Sequence, residues 1–204
     1  MIGIVDYGMG NIKAFSNIYK HLGFPFKLIK SQEDFVGIKK IILPGVGAFD
    51  HAMMRLGKSG LLETLNDLVL NKKRPVLGIC VGMQMMAKSS GEGILEGLGW
   101  IDATVNKFNI EELGNENPLP HMGWNSIKYK AENPLFNELD FESRFYFLHS
   151  YYFKASNEIE SIATAKYGDR FTCAINHDNI YGVQFHPEKS HNNGVQLLKN
   201  FGNL

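Results

Sequence analysis

The amino-acid sequence predicts an α/β fold with three layers, in which helices cover both faces of a central mixed sheet. Short apolar runs alternate with helical patterns through the first half of the 204-residue chain. Unbroken apolar runs of this length are typical of strands buried on both faces, as in parallel sheets. The second half carries further strand patterns and one closing helix. We therefore expect a mixed, mostly parallel sheet.

The first half opens with the strand pattern "IGIVDY" (2–7), which ends at the glycine-rich turn "GMGN". Apolar residues then recur at helical spacing from Ile12 to Leu22, and Gly23 is a typical helix stop. Further strand patterns lie at 26–30, 39–44 and 75–79, a helical pattern lies at 61–70, and a helix is predicted to begin at "MQMMAK" (83–88).

The second half is richer in strand patterns. These are "LGWIDATV" (98–105), "SIKY" (126–129), "RFYFLHSYYF" (144–153), "SIATAKY" (161–167), "FTCAI" (171–175) and "IYGVQFH" (180–186). Apolar residues from Val195 to Phe201 predict the closing helix. Segment 106–122, with its Asn, Glu, Gly and two prolines, is predicted to be the longest irregular loop. Without a linker or a repeat, residues 1–204 are expected to form one domain.

Composition excludes several classes of partner. Lys plus Arg equals Asp plus Glu, so the chain lacks the basic excess that a nucleic-acid partner requires. No apolar run approaches membrane-spanning length, and the N-terminus lacks a signal-peptide pattern, so we expect a cytoplasmic protein without a membrane partner. Two cysteines argue against a disulfide framework, and no spacing resembles a metal-ligand set. We expect neither a metal nor a cofactor.

Cys80 lies between two glycines in "GICVG", directly after a buried strand pattern. This is the nucleophile-elbow pattern with sulfur in place of oxygen, in which small residues two positions away relieve crowding at a sharp turn. The N-terminal amides of a following helix would favour the thiolate, and the Val81 amide is placed to hold an oxyanion. An inert buried cysteine is the alternative, and it is the favoured interpretation of Cys173 in "FTCAI".

A thiol nucleophile needs a base, and the base needs an orienting partner. "GVQFHPEKS" (182–190) offers His186 and Glu188, and positions i and i+2 of an extended segment point the same way. His186 would accept the thiol proton and later give one to a leaving amine. Taken alone, this pattern is more typical of a histidine that is satisfied within the fold or lies at the surface. Four other histidines are predicted at the surface: His21, His51, His177 and His191.

Two glycine-rich turns, "YGMGN" (7–11) and "PGVGAF" (44–49), follow strand patterns and precede helices. Either turn could cradle a phosphate, but neither is a Walker loop or a dinucleotide fingerprint. The other interpretation is a glycine-rich wall whose amides approach a substrate carbonyl, with "PGVG" supplying the second oxyanion donor.

Three of these motifs together, "PGVGAF", "GICVGMQ" and "GVQFHPEKS", resemble the class I glutamine amidotransferases in order and spacing. "DYGMGNIKA", "PHMGWN" and "FYFLHSYY" narrow the resemblance to the glutaminase subunits of imidazole glycerol phosphate synthases. The resemblance covers nearly the whole chain. It implies a single glutamine amidotransferase type 1 domain with a flavodoxin-like, three-layer fold.

The resemblance also implies roles for individual residues. Cys80 would attack the side-chain amide of glutamine, form a glutamyl thioester and release ammonia, with His186 and Glu188 completing the triad. The matching oxyanion positions are Gly45, Val46, Gly47 and Val81; the substrate positions are Gln84, Glu92, Ser150 and Tyr151; the positions facing a partner are Asn11, Trp124, Tyr146 and Lys189. Core packing is the alternative for Trp124 and Tyr146.

The implied partner is a (β/α)8-barrel cyclase/synthase subunit in a heterodimer. It would use the ammonia to make imidazole glycerol phosphate and AICAR in histidine biosynthesis. An alternative is a paralogous glutaminase that feeds a barrel partner for amidination of bacterial surface sugars. "SSGEG" near Glu92 and "GLGWIDA" (97–103) depart from the usual histidine-pathway pattern. A thiol peptidase would share the elbow but not "PHMGWN", and a non-catalytic subunit would be expected to lack a triad residue.

Overall fold

A computed structural model describes residues 1–114 and 116–204; Asn115, within the predicted irregular segment 106–122, lies outside the described residues. The strands are β1 Ile2–Val5, β2 Phe26–Ile29, β3 Lys40–Gly45, β4 Val76–Cys80, β5 Ser89–Ser90, β6 Ala103–Lys107, β7 His121–Tyr129, β8 Arg144–His149, β9 Tyr151–Ala155, β10 Ser161–Tyr167, β11 Asp169–His177 and β12 Ile180–Val183. The helices are α1 Ile12–His21, α2 Phe49–Lys58, α3 Leu62–Asn66, α4 Val81–Gln84, α5 Ile110–Leu113 and α6 His191–Asn203.

The strands form one mixed sheet in the order β2-β1-β3-β4-β12-β11-β10-β7-β8, with β9 joining at β11 and carrying β6 and β5. The first five strands of this order are parallel, and β12 to β8 pair antiparallel. Helices α1 and α6 pack together, and the Tyr19 hydroxyl of α1 donates to the Leu198 carbonyl of α6 at 3.3 Å. The predicted three-layer α/β architecture with a mixed sheet is confirmed.

The parallel part of the sheet determines where the loops meet. Because β1, β3, β4 and β12 run the same way, the loops at their carboxyl ends share one edge of the sheet, which is where open α/β sheets bind ligands. These loops hold "GMGN", "PGVG", Cys80 and His186. In the register of β3 and β4, Gly45 pairs directly with Cys80.

Two sequence predictions about elements near Cys80 are wrong. The helix expected to begin at "MQMMAK" instead starts at Val81 and ends at Gln84, and "LGWIDATV" becomes strand only from Ala103. Both differences have one cause. The carbonyls of Met85 and Met86 accept from the amides of Leu98 and Ile101, at 2.7 and 3.1 Å, so the chain after Gln84 is paired with a loop rather than a helical turn.

The predictions for Cys173 and for the surface histidines are confirmed, whereas two predictions about strands and loops are confirmed only in part. Cys173 is fully buried in the core, and the four histidines predicted at the surface are exposed. "RFYFLHSYYF", expected as a single strand, instead forms two strands, β8 and β9, separated by Ser150. The expected loop 106–122 also includes the end of β6, the short helix α5 and the first residues of β7. Among the described residues, no helix combines the length and apolar character needed to cross a membrane.

Candidate functional site

Cys80 has the strained backbone of a nucleophile elbow. Its φ of 54° and ψ of −113° lie in a region that residues with a side chain rarely adopt. The strain places the thiol of Cys80, the last residue of β4, at the first turn of α4, where the amides have no helical partner. Helix α4 has only four residues, so its dipole is small. A thiolate at Cys80 would therefore be stabilised mainly by these individual amides.

Three glycines make the elbow possible. A Cβ atom at Gly82 would lie 1.9 Å from the Leu43 carbonyl oxygen, and one at Gly78 would lie 2.7 Å from the Gly82 oxygen. A Cβ atom at Gly45 would lie 2.4 Å from the Gly82 nitrogen. Each contact is with backbone, which has little freedom to move. The glycines therefore let α4 pack directly on β3 and β4, as the elbow pattern predicts.

His186 and Glu188 form a buried pair. His186 Nδ1 lies 2.9 Å from Glu188 Oε1, and both side chains are almost completely buried. The expected extended geometry is wrong, because Pro187–Lys189 forms a 3₁₀ turn that brings the carboxylate back to the ring. The His186 amide donates to the Tyr146 carbonyl at 2.8 Å, which anchors the pair to β8.

The surroundings of His186 favour its protonated form. Burial by itself lowers the pKa of His186, but hydrogen bonding and charge from Cys80 and Glu188 outweigh burial and raise that pKa above its ordinary value. A protonated imidazole beside Cys80 favours a thiolate, the nucleophilic form of cysteine. The three residues can therefore act as nucleophile, base and orienting acid.

Three of the four predicted oxyanion positions line the cavity beside the thiol, and the fourth, Gly45, pairs with Cys80 in the sheet. Val46, Gly47 and Val81 line the same cavity as Cys80. Gly47 has a φ of +81°, which glycine adopts without strain, and this residue is where the strand can turn its amide. Tyr7, which sequence reasoning did not single out, donates its hydroxyl to the Pro44 carbonyl at 2.8 Å, at the base of this wall.

A cavity of about 450 Å³ opens over Cys80. Its lining includes the predicted catalytic residues Cys80 and His186 and the four predicted substrate positions. The complete lining is Val46, Gly47, Cys80, Val81, Gln84, Glu92, Pro120, Leu148, His149, Ser150, Tyr151, His186 and Lys189. The volume suits a small-molecule ligand.

Gln84 and Glu92 are already held by the fold at this cavity. Gln84 Nε2 donates to the Tyr151 carbonyl at 3.1 Å and to Gln184 Oε1 at 3.0 Å, which uses both of its protons and leaves its carbonyl oxygen for a ligand. Glu92 Oε2 accepts from the Phe49 amide at 2.9 Å, at the start of α2. A carboxylate and an amide oxygen suit the ammonium group of an amino acid.

Asp50 holds the loop that carries Glu92. Its carboxylate accepts from the amides of Ile94 and Leu95, at 3.0 and 3.1 Å. The loop and α2 are thus joined by hydrogen bonds from each side: Glu92 of the loop accepts from the first amide of α2, and Asp50 of α2 accepts from two amides of the loop. No sequence motif singled out Asp50.

A chain of neutral side chains supports the cavity wall. Asn125 Nδ2 lies 3.2 Å from His121 Nε2, His121 Nδ1 lies 3.0 Å from His149 Nε2, and His149 Nδ1 lies 2.8 Å from the Tyr151 carbonyl. Since the carbonyl can only accept, each histidine donates through Nδ1 and accepts through Nε2. Burial lowers the pKa of His121 to about 4; burial, together with the His121 charge, lowers that of His149 to about 3.

This pair predicts acid sensitivity. Both folded-state pKa values lie below the ordinary histidine value of about 6.5, so the unfolded chain binds these protons first as pH falls. The stabilisation that the two neutral histidines contribute is complete above that pH and is lost as pH falls towards 4 for His121 and towards 3 for His149. His149→Gln keeps a donor and an acceptor but does not titrate. It is expected to reduce the fall in the free energy of unfolding with pH by up to about 1.4 kcal/mol per pH unit.

Urea unfolding at pH 7, 6 and 5 measures this loss. His51→Gln, at an exposed position of α2, is the matched control and is expected to keep the slope of the unmodified chain. Equal slopes in all three proteins would contradict the assignment of neutral, buried histidines.

The structure brings together three of the four predicted partner positions. Trp124 and Tyr146 pair across β7 and β8 with ring centroids 6.2 Å apart, and Lys189 Nζ lies 5.7 Å from the Tyr146 ring centroid. Trp124 is 39% exposed, so core packing does not account for it. Asn11 is exposed at the start of α1, after β1, on the sheet edge described above.

Gln184 is a further residue at the site that sequence reasoning missed. It is fully buried, and its Nε2 lies 3.7 Å from Cys80 Sγ. The only signal was its place in the motif, since Gln184 lies two positions before His186 within "GVQFHPEKS"; the chain bends at Gln184 and Phe185, so strand alternation does not apply.

Comparison with known proteins agrees with this geometry. Residues 3–203 match the family described as "Glutamine amidotransferase class-I". The chain is 52% identical to the imidazole glycerol phosphate synthase subunit HisH of Leptospira borgpetersenii over 204 residues, covering 100% of both chains. It is 55% identical to the HisH subunit of Bdellovibrio bacteriovorus over 205 residues, again covering 100% of both.

A crystal structure of a glutamine amidotransferase superposes with a TM-score of 0.75, covering 100% of this chain and 99% of the other at 18% identity. At 18% identity, the superposition shows only that the fold is the same. The family match and the full-length relatives decide the rest: the chain belongs to the glutamine amidotransferase class-I family and, within it, to the group of imidazole glycerol phosphate synthase HisH subunits.

Proposed function

We propose that this chain is the glutaminase subunit of imidazole glycerol phosphate synthase, which hydrolyses glutamine to glutamate and ammonia. One observation carries the proposal. A strained cysteine and a buried His–Glu pair border the same cavity as Gln84 and Glu92. This arrangement provides both a nucleophile and a place to hold an amino acid.

Acylation begins with the thiolate of Cys80 and the imidazolium of His186. Sulfur attacks the side-chain carbonyl carbon of glutamine, and the carbonyl oxygen becomes an oxyanion held by the amides of Val81 and of the Val46–Gly47 segment. The carbon–nitrogen bond then breaks. His186 gives its proton to the departing nitrogen, so ammonia leaves and a glutamyl thioester remains on Cys80.

Deacylation uses the same groups in reverse. Neutral His186 takes a proton from water, whose oxygen attacks the thioester carbon, and the carbon–sulfur bond breaks. Glutamate leaves, and the thiolate–imidazolium pair is restored. Throughout, Glu188 holds the ring through Nδ1 and offsets its positive charge.

We propose that the exposed surface formed by Trp124, Tyr146 and Lys189, with Asn11 nearby on the same sheet edge, receives a (β/α)8-barrel partner. Met122 on β7 is 65% exposed and Leu148 on β8 is 37% exposed, which adds apolar area to the polar groups. Lys189 and Leu148 also line the cavity, so a partner seated here would lie beside the departing ammonia.

The experiment pairs the chain with a barrel cyclase of histidine biosynthesis. Turnover of the ribonucleotide substrate of that pathway is measured with glutamine and, separately, with ammonium. Glutamine is expected to support turnover, and the loaded barrel is expected to raise glutamine hydrolysis at least about tenfold over the isolated chain. The reason is that Gly47 allows the oxyanion strand to change conformation when the partner binds.

Two outcomes would contradict parts of this proposal. Fast hydrolysis by the isolated chain would contradict the coupling. If only a barrel from surface-sugar amidination raised hydrolysis, the histidine-pathway assignment would be wrong while the glutaminase chemistry stood.

A further inference from the structure

We propose that Gln184 is an additional catalytic residue, whose amide donates a hydrogen bond to the Cys80 thiolate and ties the nucleophile to the substrate-binding side chain of Gln84. This inference deepens the proposed glutaminase function and rests on it. Gln184 follows β12, two residues before His186, and is fully buried.

The orientation of the Gln184 amide follows from its partners. The Tyr151 carbonyl can only accept, so the atom of Gln84 that faces it, at 3.1 Å, must be the nitrogen. The second proton of that nitrogen points to Gln184 at 3.0 Å, and this contact requires the Gln184 oxygen. The Gln184 nitrogen therefore faces Cys80 Sγ, at 3.7 Å.

The N–H of Gln184 counteracts another neighbour of Cys80, the Leu148 carbonyl, which disfavours ionisation of the thiol. Cys80 Sγ also lies 3.8 Å from the Leu148 carbonyl oxygen, which can accept from a thiol but repels a thiolate. The Gln184 N–H favours the thiolate, because a hydrogen bond to a charged acceptor is stronger than one to a neutral acceptor. Burying an amide without a hydrogen-bond partner costs free energy. Gln184 lies between Val183 and Phe185, which are apolar and fully buried, so its amide needs the partners described above.

The donor acts at two stages of the reaction. Before attack, it raises the fraction of Cys80 that is ionised alongside the imidazolium of His186. A thioester sulfur is neutral and a weak acceptor, so the hydrogen bond weakens on acylation. It is regained when the carbon–sulfur bond breaks and sulfur departs as thiolate, which assists deacylation.

The test measures thiolate formation directly, on the full chain without glutamine or partner. The alkylation rate of Cys80 by iodoacetamide is followed against pH by peptide mass spectrometry, which separates Cys80 from buried Cys173. Gln184→Met, of similar size but without a donor, is expected to move the midpoint of this curve up by about one pH unit. The titratable groups around the sulfur, none of them altered, are His186, Tyr7, His149, Glu92, Tyr151, Lys189 and, through His186, Glu188.

Two controls separate the parts of the proposal. Gln84→Met removes the hydrogen bond that orients the Gln184 amide, so the alkylation midpoint is expected to rise by less than in Gln184→Met while KM for glutamine rises in the complex. Gln196→Met, in α6 and outside the cavity, is expected to change neither quantity. A hydrogen bond to a charged sulfur is expected to shift the midpoint by about one pH unit. A midpoint for Gln184→Met that lies within about 0.2 pH units of the unmodified chain would therefore overturn the proposal.

A further measurement needs no variant. In the unmodified chain, the side-chain amide protons of Gln184 are expected to shift downfield in NMR spectra as Cys80 ionises, and an unchanged resonance would overturn the proposal even if Gln184→Met failed to fold. Neither readout depends on glutamine turnover. A chain that shows the shifts but does not hydrolyse glutamine would therefore refute the proposed function alone.

Discussion

Cys80→Ala is expected to lower the glutamine-dependent turnover of the complex by more than about 10³-fold. Cys173, the other of the two cysteines in the sequence, does not replace the Cys80 thiolate, because Cys173 is fully buried in the core and burial raises its pKa well above the ordinary value. Turnover fed by free ammonium is expected to be unchanged, since the proposed function assigns that reaction to the partner. Both rates are measured with the same barrel subunit, at equal concentrations of the complex.

Cys173→Ala is the matched control and is expected to keep glutamine-dependent turnover within about twofold per folded molecule. Its fold is checked because it opens a small space in the core. Retention of glutamine hydrolysis by Cys80→Ala would mean that Cys80 is not the nucleophile. Loss of ammonium-dependent turnover would mean that the substitution damages the complex rather than the chemistry.

Gly82→Ala is expected to destabilise the chain by more than about 3 kcal/mol, and in practice to prevent stable folding. The new Cβ would lie 1.9 Å from the Leu43 carbonyl oxygen, a backbone atom of β3. Relief requires α4 to move away from the sheet, and this movement displaces Cys80. The free energy of unfolding, measured by urea denaturation, tests the expectation.

Gly57→Ala is the matched control for the same chemical change. Gly57 lies within α2, and a Cβ atom there meets nothing within 4 Å. The substitution is expected to stabilise the chain by about 0.5 to 1 kcal/mol, because alanine loses less conformational freedom than glycine in a helix. A Gly82→Ala protein as stable as the unmodified chain would show that the elbow does not need its close packing.

The sequence predicts the site better than it predicts the local structure that builds the site. Cys80 and His186 were identified from short motifs because elbows and histidine–acid pairs impose local rules, such as glycine two positions from the nucleophile. The helix after Cys80 was predicted in the wrong place, because its end is determined by a loop fifteen or so residues later. The hydrogen bonds from Leu98 and Ile101 to the carbonyls of Met85 and Met86 have no local signature.

The residues that sequence reasoning missed are those whose roles arise from contacts between distant segments. Asp50 supports the Glu92 loop from α2, and Tyr7 supports the oxyanion wall from the end of β1. His121 and His149 meet only because β7 and β8 pair in one register. Gln184 is different, since it lies inside a motif already recognised, but the bend at Gln184 and Phe185 means that its direction still depends on the fold.

Trapping the covalent intermediate is the most direct measurement of the chemistry. The complex, loaded with its acceptor substrate, is mixed with glutamine, quenched in acid within one turnover, and digested for peptide mass spectrometry. A glutamyl thioester is expected on the peptide that contains Cys80, absent from the peptide that contains Cys173 and absent from Cys80→Ala. Glutamine turnover without an adduct on Cys80, or with the adduct on another residue, would contradict the mechanism.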